Sequence, residues 1–117
     1  MSTPTANVPK RLITPTQLAA SVGTLYTSPS GQKGTRITEI ILINTGSAST
    51  TATLYHVPSG GTAGVTNVIA NAIIIPADGF PVILDLGGVI MNASDTIQGL
   101  AGAASQITIH IFGIEMN

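Results

Sequence analysis

The run from Thr35 to Thr45, Thr-Arg-Ile-Thr-Glu-Ile-Ile-Leu-Ile-Asn-Thr, lies between Gly34 and Gly46 and is the densest stretch of β-branched and aliphatic residues in the chain. Such side chains are stiff at χ1 and pack well on a pleated surface, so the run predicts a strand. Strict alternation puts Ile37, Ile41 and Ile43 on one face and Ile40 and Leu42 on the other. The second half is then apolar on both sides and needs cover on both, as a central strand does. Gln106 to Phe112 is the expected neighbour, because Ile107, Ile109 and Ile111 alternate with Thr108, His110 and Phe112 in a period of two.

The remaining segments fall at intervals of about ten residues between turn signals. Met1 to Pro15 holds Pro4, Pro9 and Pro15, which excludes a helix and disfavours an interior strand, so residues 1–15 read as an extended N-terminal arm and 16–117 as the domain. Thr16 to Val22 fits a short strand or one helical turn. Gly23 to Thr27 reads as a strand ending in the turn Ser28-Pro29-Ser30-Gly31. Ser49 to Val57 follows the central strand at hairpin spacing, and Pro58 to Gly64 is a glycine-rich loop. That loop lacks the Lys-Ser/Thr ending and following helix of a phosphate cradle. Thr66 to Ile75 is extended up to Pro76. Phe80 to Leu86 is a strand broken by Gly87-Gly88, with a short piece from Val89 to Met91. Thr96 to Leu100 and the last strand complete seven or eight strands. Such spacing points to a sandwich or a closed barrel, and the fold class expected is all-β, a single-domain antiparallel β-sandwich.

Composition narrows the partners. Only 8% of residues are charged, against roughly a quarter in ordinary soluble domains, while the hydrophobic fraction of 44% is unexceptional. Interface centres are depleted in Lys, Glu and Asp, so a surface of Thr, Ser, Asn and Gly implies that much of it sits against other protein. A net charge of −1 gives no basic footprint for nucleic acid. The absence of cysteine excludes disulfides and thiolate metal sites and suits a reducing cytosol. The most apolar stretches, Val68 to Ala77 and Val82 to Met91, are half the length of a membrane-spanning helix. The N-terminus lacks the apolar core of a secretory signal, so the mature chain is expected to start at or next to Met1.

Catalytic raw material is thin. His56 and His110 lie far apart on strands beside aliphatic or aromatic neighbours and read as structural. Asp78 and Asp95 fall in turns, where their carboxylates bond nearby backbone N–H groups. Glu39 and Glu115 are candidates for surface ion pairs with Arg36, Lys33 or a neighbouring subunit. No metal, cofactor or small-molecule substrate is expected. Sugar binding, which uses exposed aromatics, has only Tyr26, Tyr55, Phe80 and Phe112 to draw on. The arm offers the one partner-binding group, Pro9, Lys10, Arg11, Leu12 and Ile13, two cations followed by two apolar anchors.

Leu25-Tyr26-Thr27-Ser28-Pro29-Ser30-Gly31, the strand from Ile37 to Asn44, and Leu54-Tyr55-His56-Val57-Pro58-Ser59-Gly60-Gly61 together resemble a pattern in small virion proteins of tailed bacteriophages. Ile75-Pro76-Ala77-Asp78-Gly79, Ala93-Ser94-Asp95-Thr96-Ile97-Gln98-Gly99 and the closing Gly113-Ile114-Glu115 extend the likeness over Gly23 to Glu115. These are turn and strand signatures, and no catalytic residue is carried over. The resemblance implies a jelly-roll-like decoration or cement protein on a capsid exterior, made in the host bacterial cytoplasm. Its expected partners are the major capsid protein and copies of itself, a trimer for preference. A tail, baseplate or fibre-attachment module is the alternative, and a carbohydrate-binding module the third.

Overall fold

The computed structural model describes residues 9–116, and these form nine strands and no helix. In chain order they are β1 (Pro9–Arg11), β2 (Thr16–Gln17), β3 (Gly23–Thr27), β4 (Gly34–Asn44), β5 (Thr50–Val57), β6 (Val68–Ile75), β7 (Pro81–Met91), β8 (Thr96–Ala101) and β9 (Ile107–Met116). One sheet runs β1-β9-β4-β7, with β2 also on β9, and the other runs β3-β8-β5-β6; every pairing is antiparallel. The chain is therefore a β-sandwich, as its alternating runs predict.

The pairing is nested. β2 lies on β9, β3 on β8, β4 on β7 and β5 on β6, so the chain folds as one long hairpin with its tip between β5 and β6. That hairpin is rolled until β9 also meets β4 and β8 also meets β5. The expected pairing of the central strand with the last one is present along its length, from Thr35 opposite Glu115 to Asn44 opposite Ile107.

Strict alternation fails at one place in β4. A bulge at Thr38 sets Ile37 opposite Gly113 and Glu39 opposite Phe112, so one residue of β4 has no counterpart on β9. On the other side, Ile37 faces Val89 and Glu39 faces Asp85, leaving Leu86, Gly87 and Gly88 opposite Thr38 alone. The path between the same two levels lengthens from β9 to β4 to β7, which bends the sheet. Ile37, Ile40 and Leu42 consequently all point inward with no exposure, while Ile41 and Ile43 point outward. The expected grouping of Ile37 with Ile41 and Ile43 is thus corrected by the bulge. Gly87-Gly88 does not break the strand; β7 is continuous through the distortion.

Inward residues from both sheets form one core. Ile37, Ile40, Leu42, Met91, Ile107, Ile109 and Ile111 meet Tyr26, Ala52, Leu54, Ile75, Ile97 and Ala101, with Leu18 plugging the side. Burying each large aliphatic side chain contributes about 1.5–3 kcal/mol. Gly99 sits inside this layer because a Cβ there would stand 2.7 Å from Leu54 and 3.2 Å from Leu25.

The expected β4–β5 hairpin is absent: residues 45–49 carry the chain from one sheet to the other. Asn44, fully buried, makes the crossing possible. Its amide donates to the carbonyls of Ala48 at 2.9 Å and Ile75 at 3.2 Å, and its Oδ1 accepts from the Gly46 N–H at 2.8 Å. Backbone groups that leave a ladder inside a core must find such partners.

Candidate functional site

The five residues expected to bind a partner lie on the chain's own sheet. Pro9, Lys10 and Arg11 pair with Ile114, Gly113 and Phe112, and the Leu12 N–H continues the ladder to the Ile111 carbonyl at 2.8 Å. Proline at the first position of an edge strand withholds no needed donor. Leu12 and Ile13 pack against the core, and Lys10 and Arg11 remain exposed. The expected arm of residues 1–15 therefore divides. Residues 9–12 and then β2 pair with β9, with residues 13–15 joining them, and residues 1–8 lie outside the described residues.

Lys10 leads into a polar network. It forms an ion pair with Glu115, whose other oxygen accepts the Tyr26 hydroxyl at 2.5 Å. The Tyr26 oxygen also lies 3.0 Å from Thr35 Oγ1, and Thr35 lies 2.8 Å from Ser28 Oγ. Thr35 and Ser28 are fully buried, and Tyr26 nearly so. Burial, together with the adjacent carboxylate, pushes the Tyr26 hydroxyl above the ordinary phenol range, so it stays a donor. Burial alone would raise Glu115, but the hydrogen bonds from Lys10 and Tyr26 outweigh it and hold the carboxyl below its usual range. The network joins β1, β3, β4 and β9 at one end of the sandwich. The partners expected for Glu115 are Arg36, Lys33 or a neighbouring subunit; the pairing of β1 with β9 brings Lys10 to it instead.

A second cluster sits among the loops. Asp95 accepts the N–H groups of Ser59 and Asn92, each at 2.9 Å, and its Oδ2 lies 3.0 Å from His56 Nε2. Burial raises the Asp95 carboxyl, while His56 and the two backbone donors lower it further, for a net shift downward. Asp95 is thus the expected turn former and also ties two loops to β5. His110 stacks on Phe112, with ring centroids 6.2 Å apart and planes 8° from parallel. Both histidines have structural contacts, as their strand positions predict. Among the described residues no three His, Cys, Asp or Glu side chains gather to hold a metal ion, and none of the described elements is a helix able to cross a membrane.

Both outer faces of the sandwich carry exposed aliphatic side chains. The β3-β8-β5-β6 face carries Thr24, Gln98, Tyr55, Thr53, Leu100 and Ile74, the last 70% exposed. The opposite face carries Ile41, Ile43, Ile83, Ile90 and Phe112, with Ile83 57% and Ile90 50% exposed. Arg11, Arg36, Glu39 and Asp85 lie on that same face. Arg36 is engaged there, its Nε donating to the Gly87 carbonyl at 2.9 Å. The central strand is apolar on both sides, as its sequence predicts, and it is the outer side that lacks cover. Comparison with known proteins adds no relative: no family model, curated protein or solved structure matches this chain.

Proposed function

We propose that this chain is a non-enzymatic structural protein of a tailed-phage virion that decorates and stabilises the capsid exterior. The observation that carries the reading is the nested strand order. With β1 and β2 taken as one interrupted strand, eight strands pair first with last and wrap into two sheets. We read this as a jelly roll, the double-sheet wrap of many viral capsid domains.

Two features support it. Four of the segments that resemble phage virion proteins contain turns of this wrap, and in three of these Gly60, Asp78, Gly79 and Ser94 adopt positive φ. A surface with few charges favours close and repeated protein contact over free dispersal. A capsid lattice presents one site many times, so a small oligomer touching several capsid subunits gains avidity without one large interface. Trimeric symmetry would match local three-fold positions of a shell.

The test mixes the purified chain with expanded, tail-less capsids that lack it and counts the copies that co-sediment. The expected result is saturation at hundreds of copies per shell with a rise in capsid melting temperature. No binding to capsids, with recovery of a few copies on isolated tails, would overturn the decoration reading in favour of a tail or baseplate module.

A further inference from the structure

We propose that the outer face of the β1-β9-β4-β7 sheet is a self-complementary docking surface whose occupant is a second copy of this chain. The register supplies the argument. At one level across the sheet the outward residues are, in order, Arg11 on β1, Phe112 on β9, Glu39 on β4 and Asp85 on β7. A guanidinium stands at one end of the row and two carboxylates at the other. Glu39 and Asp85 are directly opposite each other, a like-charge pair that is unfavourable when nothing compensates it. Neither has an ion-pair partner among the described residues.

A two-fold axis parallel to the strands and midway between β9 and β4 lays this row over itself in reverse. Arg11 then meets Asp85 of the second copy, Asp85 meets the second copy's Arg11, and between them Glu39 lies over Phe112. The adjoining level, which carries His110 on β9, Ile41 on β4 and the half-exposed Ile83 on β7, closes against the same level of the other copy with Ile41 over His110. Rotation about an axis along the strands keeps the two sheets aligned, the arrangement in which sheets pack about 10 Å apart. Contacts of this isologous kind are the commonest in homo-oligomers. Four strands about 4.8 Å apart and some 20–25 Å of strand length cover roughly 400–500 Å² per copy. The total falls below the standard size for a stable complex, so the pairing is weak and transient. It is a contact separate from any three-fold one, because a cyclic trimer uses a head-to-tail surface.

The test is sedimentation velocity of the free, full-length chain over a concentration series, with no capsid present, so it stands apart from the decoration reading. A dimer is expected, with Ile83→Glu weakening it at least tenfold while the β-sheet circular dichroism is retained. Arg11→Asp and Asp85→Arg are each expected to weaken it several-fold, and the double reversal to restore it, because each copy then presents the inverted pair. A chain that stays monomeric at millimolar concentration overturns the proposal. So does an oligomer indifferent to Ile83→Glu, or a double reversal no stronger than either single change. If the chain is monomeric and Ile83→Glu instead abolishes capsid co-sedimentation, the face belongs to the capsid contact.

Discussion

Replacing Tyr26 with Phe removes one hydroxyl from the network that joins β1, β3, β4 and β9, and changes almost nothing else. The ring stays in the core, where it is 7% exposed, and Thr35 keeps its bond to Ser28 at 2.8 Å. What is lost is the bond to Glu115 at 2.5 Å, a neutral donor on a carboxylate whose side chain is 13% exposed, together with the 3.0 Å bond to Thr35, which is left with Ser28 alone. Hydrogen bonds to charged groups are worth about 1.5–3 kcal/mol. At least that much is the expected loss at neutral pH, since the Thr35 bond goes with it, and at roughly 4 °C per kcal/mol for a domain near this size it lowers Tm by about 6–12 °C or more.

The pH dependence provides the sharper test. Glu115 has a depressed pKa in the folded chain, so its stabilising contribution is present above the unfolded glutamate value and fades as pH falls through the lower folded value. Once the carboxyl is protonated, the Tyr26 bond is neutral-to-neutral and worth about 0.5–1.5 kcal/mol. The gap between the wild-type chain and Tyr26→Phe should therefore narrow by about 1 kcal/mol in acid. Urea unfolding followed by circular dichroism, at neutral pH and below the Glu115 transition, measures both quantities. A loss under about 0.5 kcal/mol at neutral pH, or an equal loss at both, would refute the reasoning.

Three further outcomes follow from the same geometry. Gly113→Ala would place a Cβ 2.3 Å from the Arg36 carbonyl oxygen and 2.9 Å from Leu12, costing about 2 kcal/mol or more in denaturant unfolding, whereas Gly88→Ala meets open space and should stay within about 0.5 kcal/mol. Asp95→Ala strips the partner from the Ser59 and Asn92 N–H groups and from His56; a drop of about 2–4 kcal/mol is expected, and the variant should lose the part of the acid-side decline that comes from the lowered Asp95 pKa. Deleting Thr38 removes the bulged residue and leaves Ile37, Ile40 and Leu42 in phase, so that chain should fold with reduced stability. Deleting Ile41 throws the rest of β4 out of phase with β9 and should abolish cooperative unfolding.

Much of the fold was legible because strand periodicity is local. Ile107, Ile109 and Ile111 point inward as their alternation demands, and the last strand pairs with the central one as expected. The turn chemistry of Ser28 to Gly31, Pro58 to Gly61 and Ala77 to Gly79 was equally readable, since each depends on the φ preferences of its own residues. The candidate sites were less so. Asp95 could be recognised as a turn former, yet its link to His56 spans 39 positions of sequence. Glu115 reaches Tyr26 across 89. No local pattern encodes such separations; they exist only after β3 and β8 lie in one sheet and β9 in the other.

The sequence by itself determined that this chain is all-β, that the Thr35 to Thr45 run is central, and that its surface carries few charges. Those properties belong to single residues and to their nearest neighbours. Long-range pairing is what carries residues 45–49 between the sheets instead of closing a hairpin and lays residues 9–12 on β9. It also turns Ile37 toward the core together with Ile40 and Leu42. The physical reason is common to all three: side-chain direction depends on register, and register is set by which strand lies alongside and by bulges such as that at Thr38, quantities fixed by contacts between distant parts of the chain.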